Sequence, residues 1–307
     1  MTGQPAPART LATLPRAALM ALTAALLPDP AAAEPAPRVV TGFAHPESVV
    51  IDGDRRFVSN IGAELAPLAR DGDGFISEMA ADGTLVERRA LPGAGDALNA
   101  PKGMAVVGGT LYVTDIDRVV GFDIDSRRRV FEAALPEGDA VFANDLAVLG
   151  DATLLVSDTL RGLVFRLDLA TGGFTPWAAG VPGANGLAHD PIADRTMVAG
   201  LGADFGGGDL FAITGDGTAT ALTRGPLGIL DGLVLLPGGD ALVSDWVALG
   251  EPVQGRLWRL PADGGTPAVV CLDAPLHGPA DFDYDAATGT LWIPATMDGA
   301  VVIAPYR

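Results

Sequence analysis

The stretch "LDGLVLLPGGDALVSDW", residues 230–246, sets two apolar runs on either side of a Pro-Gly-Gly-Asp turn. Each run is too short for a helix and carries no 3.6-residue spacing, so the pair reads as two antiparallel strands. Working outward, the pair recurs. "PESVVID" (46–52), "PKGMAVV" (101–107), "ANDLAVL" (143–149), "ANGLAHD" (184–190) and "PADFDYD" (279–285) match the opening run. "RFVSNI", "LYVTDI", "LLVSDT", "TMVAGL" and "LWIPAT" match the second. A third strand follows in every unit, as in "GLVFRLDLATG" (162–172). A looser fourth closes the first five, as in "LVERRAL" (85–91), "TATALTR" (218–224) and "PAVVCLD" (267–273).

Unit starts lie 41 to 55 residues apart, the spacing of four-stranded propeller blades. The sixth unit shows three strands, whereas "PRVVTGF" (37–43) has strand composition and no partner of its own. Lending that strand to the last unit closes a ring and hides the edges that a free sheet leaves open. The expected fold is all-β: a six-bladed β-propeller, one domain over 34–307, its last blade closed by the N-terminal strand.

The first 33 residues differ. Arg9 and Arg16 precede the apolar "AALMALTAALL" (17–27), and an Ala-x-Ala site ends near Ala33. This predicts a cleaved secretory signal; an uncleaved anchor would need an apolar core of about 20 residues. The expected location is periplasmic or secreted, with no membrane attachment after cleavage. Net charge is −18, and −19 once residues 1–33 are removed. So acidic a surface repels nucleic acid and favours cations. The single cysteine, Cys271, falls in a strand-like run and is expected in the core.

In a propeller the first strand of each blade lines the central channel. The second residue of each opening triplet then stands at its mouth: Glu47, Lys102, Asn144, Asn185, Asp231 and Ala280. Burying five polar groups there unpaired costs several kcal/mol. Two carboxylates and two carboxamides form a hard, all-oxygen set suited to one Ca²⁺, while zinc or copper would call for His or Cys. Mg²⁺ prefers fewer protein ligands. The chain holds only four Asn, and two of them occupy this register.

Lys102, the only lysine beside nineteen arginines, has three open roles. It can stabilise negative charge developing on a substrate, replace the metal by neutralising Glu47 and Asp231, or bend into solvent. The second strands end in Asp115, Asp158 and Asp245, with Asn60 in the matching place. These are expected to bond backbone N–H groups of neighbouring loops. Asp145, next to Asn144, reads equally as a support for the ring or a turn former. "ARDGDGFISEMA" (69–80) imitates a calcium loop, but its first and twelfth ligand positions are Ala69 and Ala80. "GADFGGGD" (202–209) runs into a strand and cannot present a helix N-terminus to phosphate. His45, His189 and His277 are expected as structural residues, with His277 the strongest of the three as a possible base.

The Glu47, Asn144, Asn185 and Asp231 set, together with "ANGLAHDP" and "LDGLVLLPGGDALVSDW", resembles the senescence marker protein/gluconolactonase family. It is also similar to the wider group of calcium propellers that includes diisopropylfluorophosphatase and paraoxonase. The resemblance covers 37–307. It implies one catalytic Ca²⁺ held by Glu47, Asn185 and Asp231, with Asn144 as ligand or substrate contact. Asp231 would double as general base or nucleophile. Lys102 stands where paraoxonase has a catalytic His, so a His dyad of that kind is not expected. The expected activity is calcium-dependent hydrolysis of a lactone or related ester, with catalytic Asp231, Lys102 and Asn144 acting on a small-molecule substrate. The alternatives are a phosphotriesterase on the same metal site and a non-enzymatic binding propeller with Lys102 filling the ring.

Overall fold

Six antiparallel sheets of four strands each make up the chain in the computed structural model, which describes residues 1–6, 36–138 and 140–306. The expected signal segment, 1–33, falls almost wholly outside the described residues. Blade 1 runs Pro46–Asp52, Arg55–Asn60, Phe75–Ala80 and Leu85–Leu91, from the centre outward. Blades 2 to 5 repeat that order, with innermost strands Pro101–Val107, Ala143–Gly150, Ala184–Asp190 and Leu230–Leu235. Blade 6 takes its outer strand from the other end of the domain. Arg38–Thr41 pairs with Ala300–Pro305, from Arg38 opposite Ile303 to Thr41 opposite Ala300. This is the closed six-bladed propeller expected from the repeat.

Alternation along each strand divides its side chains between the two neighbouring blades, so the core is a ring of separate clusters. Phe57, Ile76, Met104 and Leu111 fill the seam between blades 1 and 2. Ala147, Val164, Leu187 and Ile213 do so between blades 3 and 4. Phe43, Val49, Trp292 and Val301 close the seam where the chain ends meet. That last seam also buries an ion pair: Arg56, 2% exposed, donates to Asp285 and lies over the Trp292 ring. Among the described residues, no helix is long and apolar enough to cross a membrane.

Some expectations need correction. The fourth strands of blades 4 and 5 shrink to Ala219–Ala221 and Ala268–Val270. Cys271, just past the second of these, is exposed rather than buried. An outermost strand has no neighbour beyond it, and its alternate side chains point to solvent. "PADFDYD" pairs regularly only over Asp283–Asp285; isolated bridges at Pro279 and Asp281 hold the rest.

Candidate functional site

The innermost strands do not pair smoothly. Their register with the second strand breaks between Pro46 and Val49, Pro101 and Met104, Ala143 and Leu146, Ala184 and Leu187, and Leu230 and Leu233. Each break is a bulge, and a bulge re-aims side chains. The mouth residue sits inside it every time. Glu47, Lys102, Asn144, Asn185 and Asp231 accordingly line one cavity of about 240 Å³. Ala280, the sixth, is fully buried outside it.

Close approach between blades tightens the ring. A Cβ on Gly186 would fall 2.1 Å from the Asp231 carbonyl oxygen, so only glycine lets blade 5 stand there. Gly103 makes room in the same way for Asp145 of blade 3, and Gly232 for Asp281 of blade 6.

Three ring oxygens are buried without any hydrogen-bond partner: Glu47 Oε2, Asn185 Oδ1 and Asp231 Oδ1. The other Asp231 oxygen accepts the Trp246 indole N–H at 2.7 Å. The Asn144 amide donates to Thr159 at 3.0 Å, which fixes its rotation, and Thr159 in turn donates to the Ala184 carbonyl. Burial drives the carboxyls away from their ordinary values. Glu47 stands well above the usual range through burial first, then the charge of Asp231, against the pull of Lys102. Asp231 is pushed up to about 7 by burial, with the Trp246 hydrogen bond opposing. Asp145 also rises to about 7 through burial, although it accepts the backbone N–H groups of Leu187 and Leu146. It supports the ring from beneath and does not face the cavity. Among the described residues no three His, Cys, Asp or Glu side chains gather as a metal-binding group. The ring mixes two carboxylates with two carboxamides, and both are ordinary calcium donors.

Lys102 is 1% exposed and donates to the carbonyls of Ala100 at 2.8 Å and Pro67 at 2.9 Å, over the Phe142 ring. It neither bends into solvent nor forms an ion pair with Glu47 or Asp231. Desolvation lowers it to about 8, with the Glu47 charge opposing.

The rest of the cavity wall is apolar: Ile61, Leu65, Phe142, Leu201, Phe205 and Leu249. Sequence reasoning did not find these residues. They sit on loops between strands, where no period marks which side chain points inward. None of the three histidines lines the cavity. His45 contacts the Gly62 carbonyl, His189 contacts Thr196, and His277 pairs with Asp298 at 2.7 Å. The acids at the second-strand ends serve the backbone. Asn60, Asp115, Asp158 and Asp245 accept the N–H groups of Ala44, Asn99, Phe142 and Ile229, always sixteen residues earlier.

No family model matches the chain, and no curated protein is significantly similar to it in sequence. Solved structures are similar in fold. Virginiamycin B lyase from Staphylococcus aureus is 14% identical, over 88% of this chain and 100% of that one, with a TM-score of 0.61. A streptogramin B lyase is 12% identical, over 88% and 98%, with a TM-score of 0.58. Hydrazine synthase from Kuenenia stuttgartiensis is 15% identical, over 82% and 74%, with a TM-score of 0.56. Enzymes of unlike chemistry share this architecture, so the likeness speaks for the propeller and leaves activity to the site.

Proposed function

We propose that this chain is a calcium-dependent hydrolase of lactones or related esters, working outside the cytoplasm. The observation that carries the reading is the trio of partnerless buried oxygens on Glu47, Asn185 and Asp231, drawn from three blades to one cavity. Two buried carboxylates without a directly paired cation cost several kcal/mol each. A hard divalent ion held by Glu47, Asn144, Asn185 and Asp231 relieves that cost, and nitrogen or sulfur ligands for a softer metal are missing from the ring. When bound, such an ion polarises the carbonyl of an ester and steadies negative charge on its oxygen.

The chain's own residues supply the remainder. Trp246 pins one Asp231 oxygen and leaves the other to take a proton from attacking water or to attack the carbonyl itself. Water adds to the carbonyl carbon, the ring C–O bond breaks, and the alkoxide takes up a proton to leave a hydroxy acid. Lys102, its ammonium buried beside Glu47, adds positive potential where negative charge develops. Asn144, anchored through Thr159, holds the ion or the substrate carbonyl. The apolar wall from Ile61 to Leu249 excludes water and fits a hydrophobic acyl part better than a sugar lactone.

The test uses a panel of alkyl lactones, aryl esters and phosphotriesters, with and without calcium. Lactone turnover is expected to disappear on chelation and return with Ca²⁺, and Asp231→Asn is expected to lower it roughly 100-fold or more. Lactone turnover that survives complete calcium removal rules this mechanism out. A phosphotriester rate exceeding every lactone rate would move the reading to the phosphotriesterase alternative.

A further inference from the structure

We infer that the cleft between blades 4 and 5 binds a small organic carboxylate with an apolar body. The cleft, of about 490 Å³, runs along the two blades from the strand ends opposite the ring up to the 222–227 segment that leads into blade 5. Arg195 and Met197 begin the second strand of blade 4, Ala241 begins that of blade 5, and the Pro261–Pro267 turn forms one wall. It shares no residue with the ring cavity. None of its lining residues is acidic, in a chain with 38 Asp and Glu against 20 Lys and Arg. Two arginines line it.

The arginines of blade 5 are spoken for: Arg256 pairs with Asp245 and Arg259 with Asp240. Among the described residues, Arg195 and Arg224 make no ion pair. The buried Nε of Arg195 has no hydrogen-bond partner. Asp190 stands opposite Arg195 across the hairpin without an ion pair to it, and three acids near the cleft in sequence are held by backbone or arginine. Asp190 accepts the N–H groups of Ile192 and Ala193, Asp240 holds Arg259, and Asp263 accepts the Gly265 N–H. The guanidinium is a planar donor fork, and a carboxylate entering the cleft can meet its outer nitrogens two bonds at a time. Met197, Leu222, Leu227, Leu260 and Pro261 supply an apolar wall. An inorganic anion has no use for that wall, whereas the chain of an aliphatic acid lies against it. The cleft volume falls within the range of small-molecule sites, roughly 300–1,000 Å³.

The probe is octanoate, titrated calorimetrically into the whole protein at low salt, with octanamide as its uncharged counterpart. Saturable one-to-one binding is expected, with octanamide about tenfold or more weaker. Arg224 is exposed, so Arg224→Gln keeps the fold, and it is expected to weaken octanoate about tenfold. Arg195→Gln should do the same, with a melting curve to confirm folding. Asp231→Asn should leave octanoate binding unchanged, which separates this cleft from the ring whatever the ring catalyses. Absence of saturable binding, octanamide binding as tightly as octanoate, indifference to both arginine substitutions, or loss of binding in Asp231→Asn would each overturn the assignment.

Discussion

Asp231 is pinned by Trp246 at one oxygen and bare at the other, and burial raises it to about 7. An acid whose folded-state value lies above its unfolded value holds more protons when folded. Folding stability then declines as pH rises between the two values. In calcium-stripped protein the melting temperature is expected to drop between about pH 4 and about pH 7 and to level off above. Asp145, also near 7, adds to the same window. Saturating calcium should remove most of the slope, and Asp231→Asn part of it. A melting temperature that climbs across this window without calcium contradicts the account. Lys102 works on a different link, holding the carbonyls of Ala100 and Pro67. Lys102→Met leaves both without a donor and is expected to cost about 1–3 kcal/mol in denaturant unfolding.

At the scale of the strand, the bulge decides what the ring can do. The Asn and Asp residues of the innermost strands were legible because they recur in register and the chain has so few Asn. The bulges were not, since a one-residue slip leaves no trace in an apolar run such as "LDGLVLL". Nor did the sequence reveal which blades touch most closely. Gly186 looks like an ordinary turn residue until the Asp231 carbonyl is seen against it. Gly186→Ala is expected to push the innermost strand of blade 5 outward. Calcium affinity should fall at least tenfold, roughly what the loss of one well-placed ligand costs, while far-ultraviolet circular dichroism stays unchanged. The second-strand acids were read correctly as backbone partners. Asp245 accepts Ile229 N–H, Val247 N–H, Arg256 and Trp258, and is fully buried. Asp245→Ala is expected to destabilise by about 1–3 kcal/mol, because the Ile229 and Val247 N–H groups and the Trp258 indole lose their acceptor. Lactone turnover per folded molecule should persist.

For the whole molecule, six seams of comparable size share the stabilisation, and the sixth blade is completed only when Arg38–Thr41 pairs with Ala300–Pro305. A chain starting at Gly42 would leave Ala300–Pro305, buried along nearly its whole length, as an open apolar edge. Its melting point is expected to fall by roughly 10 °C, with light scattering reporting association, whereas equal removal from an exposed turn should change neither. This closure was visible in the sequence because "PRVVTGF" had no other partner and the sixth unit was one strand short. The cleft carrying Arg195 and Arg224 was not visible. Its residues come from two blades and three connecting segments, and no repeat register links them.

The antiparallel join between Arg38–Thr41 and Ala300–Pro305 places residues 38 and 303 side by side. A short linker across that gap would let the polypeptide be severed instead at an exposed hairpin, such as Gly108–Gly109, without disturbing any sheet. Circular permutants of this kind would move the point of mechanical weakness from blade to blade, and single-molecule pulling could then ask which seam yields first.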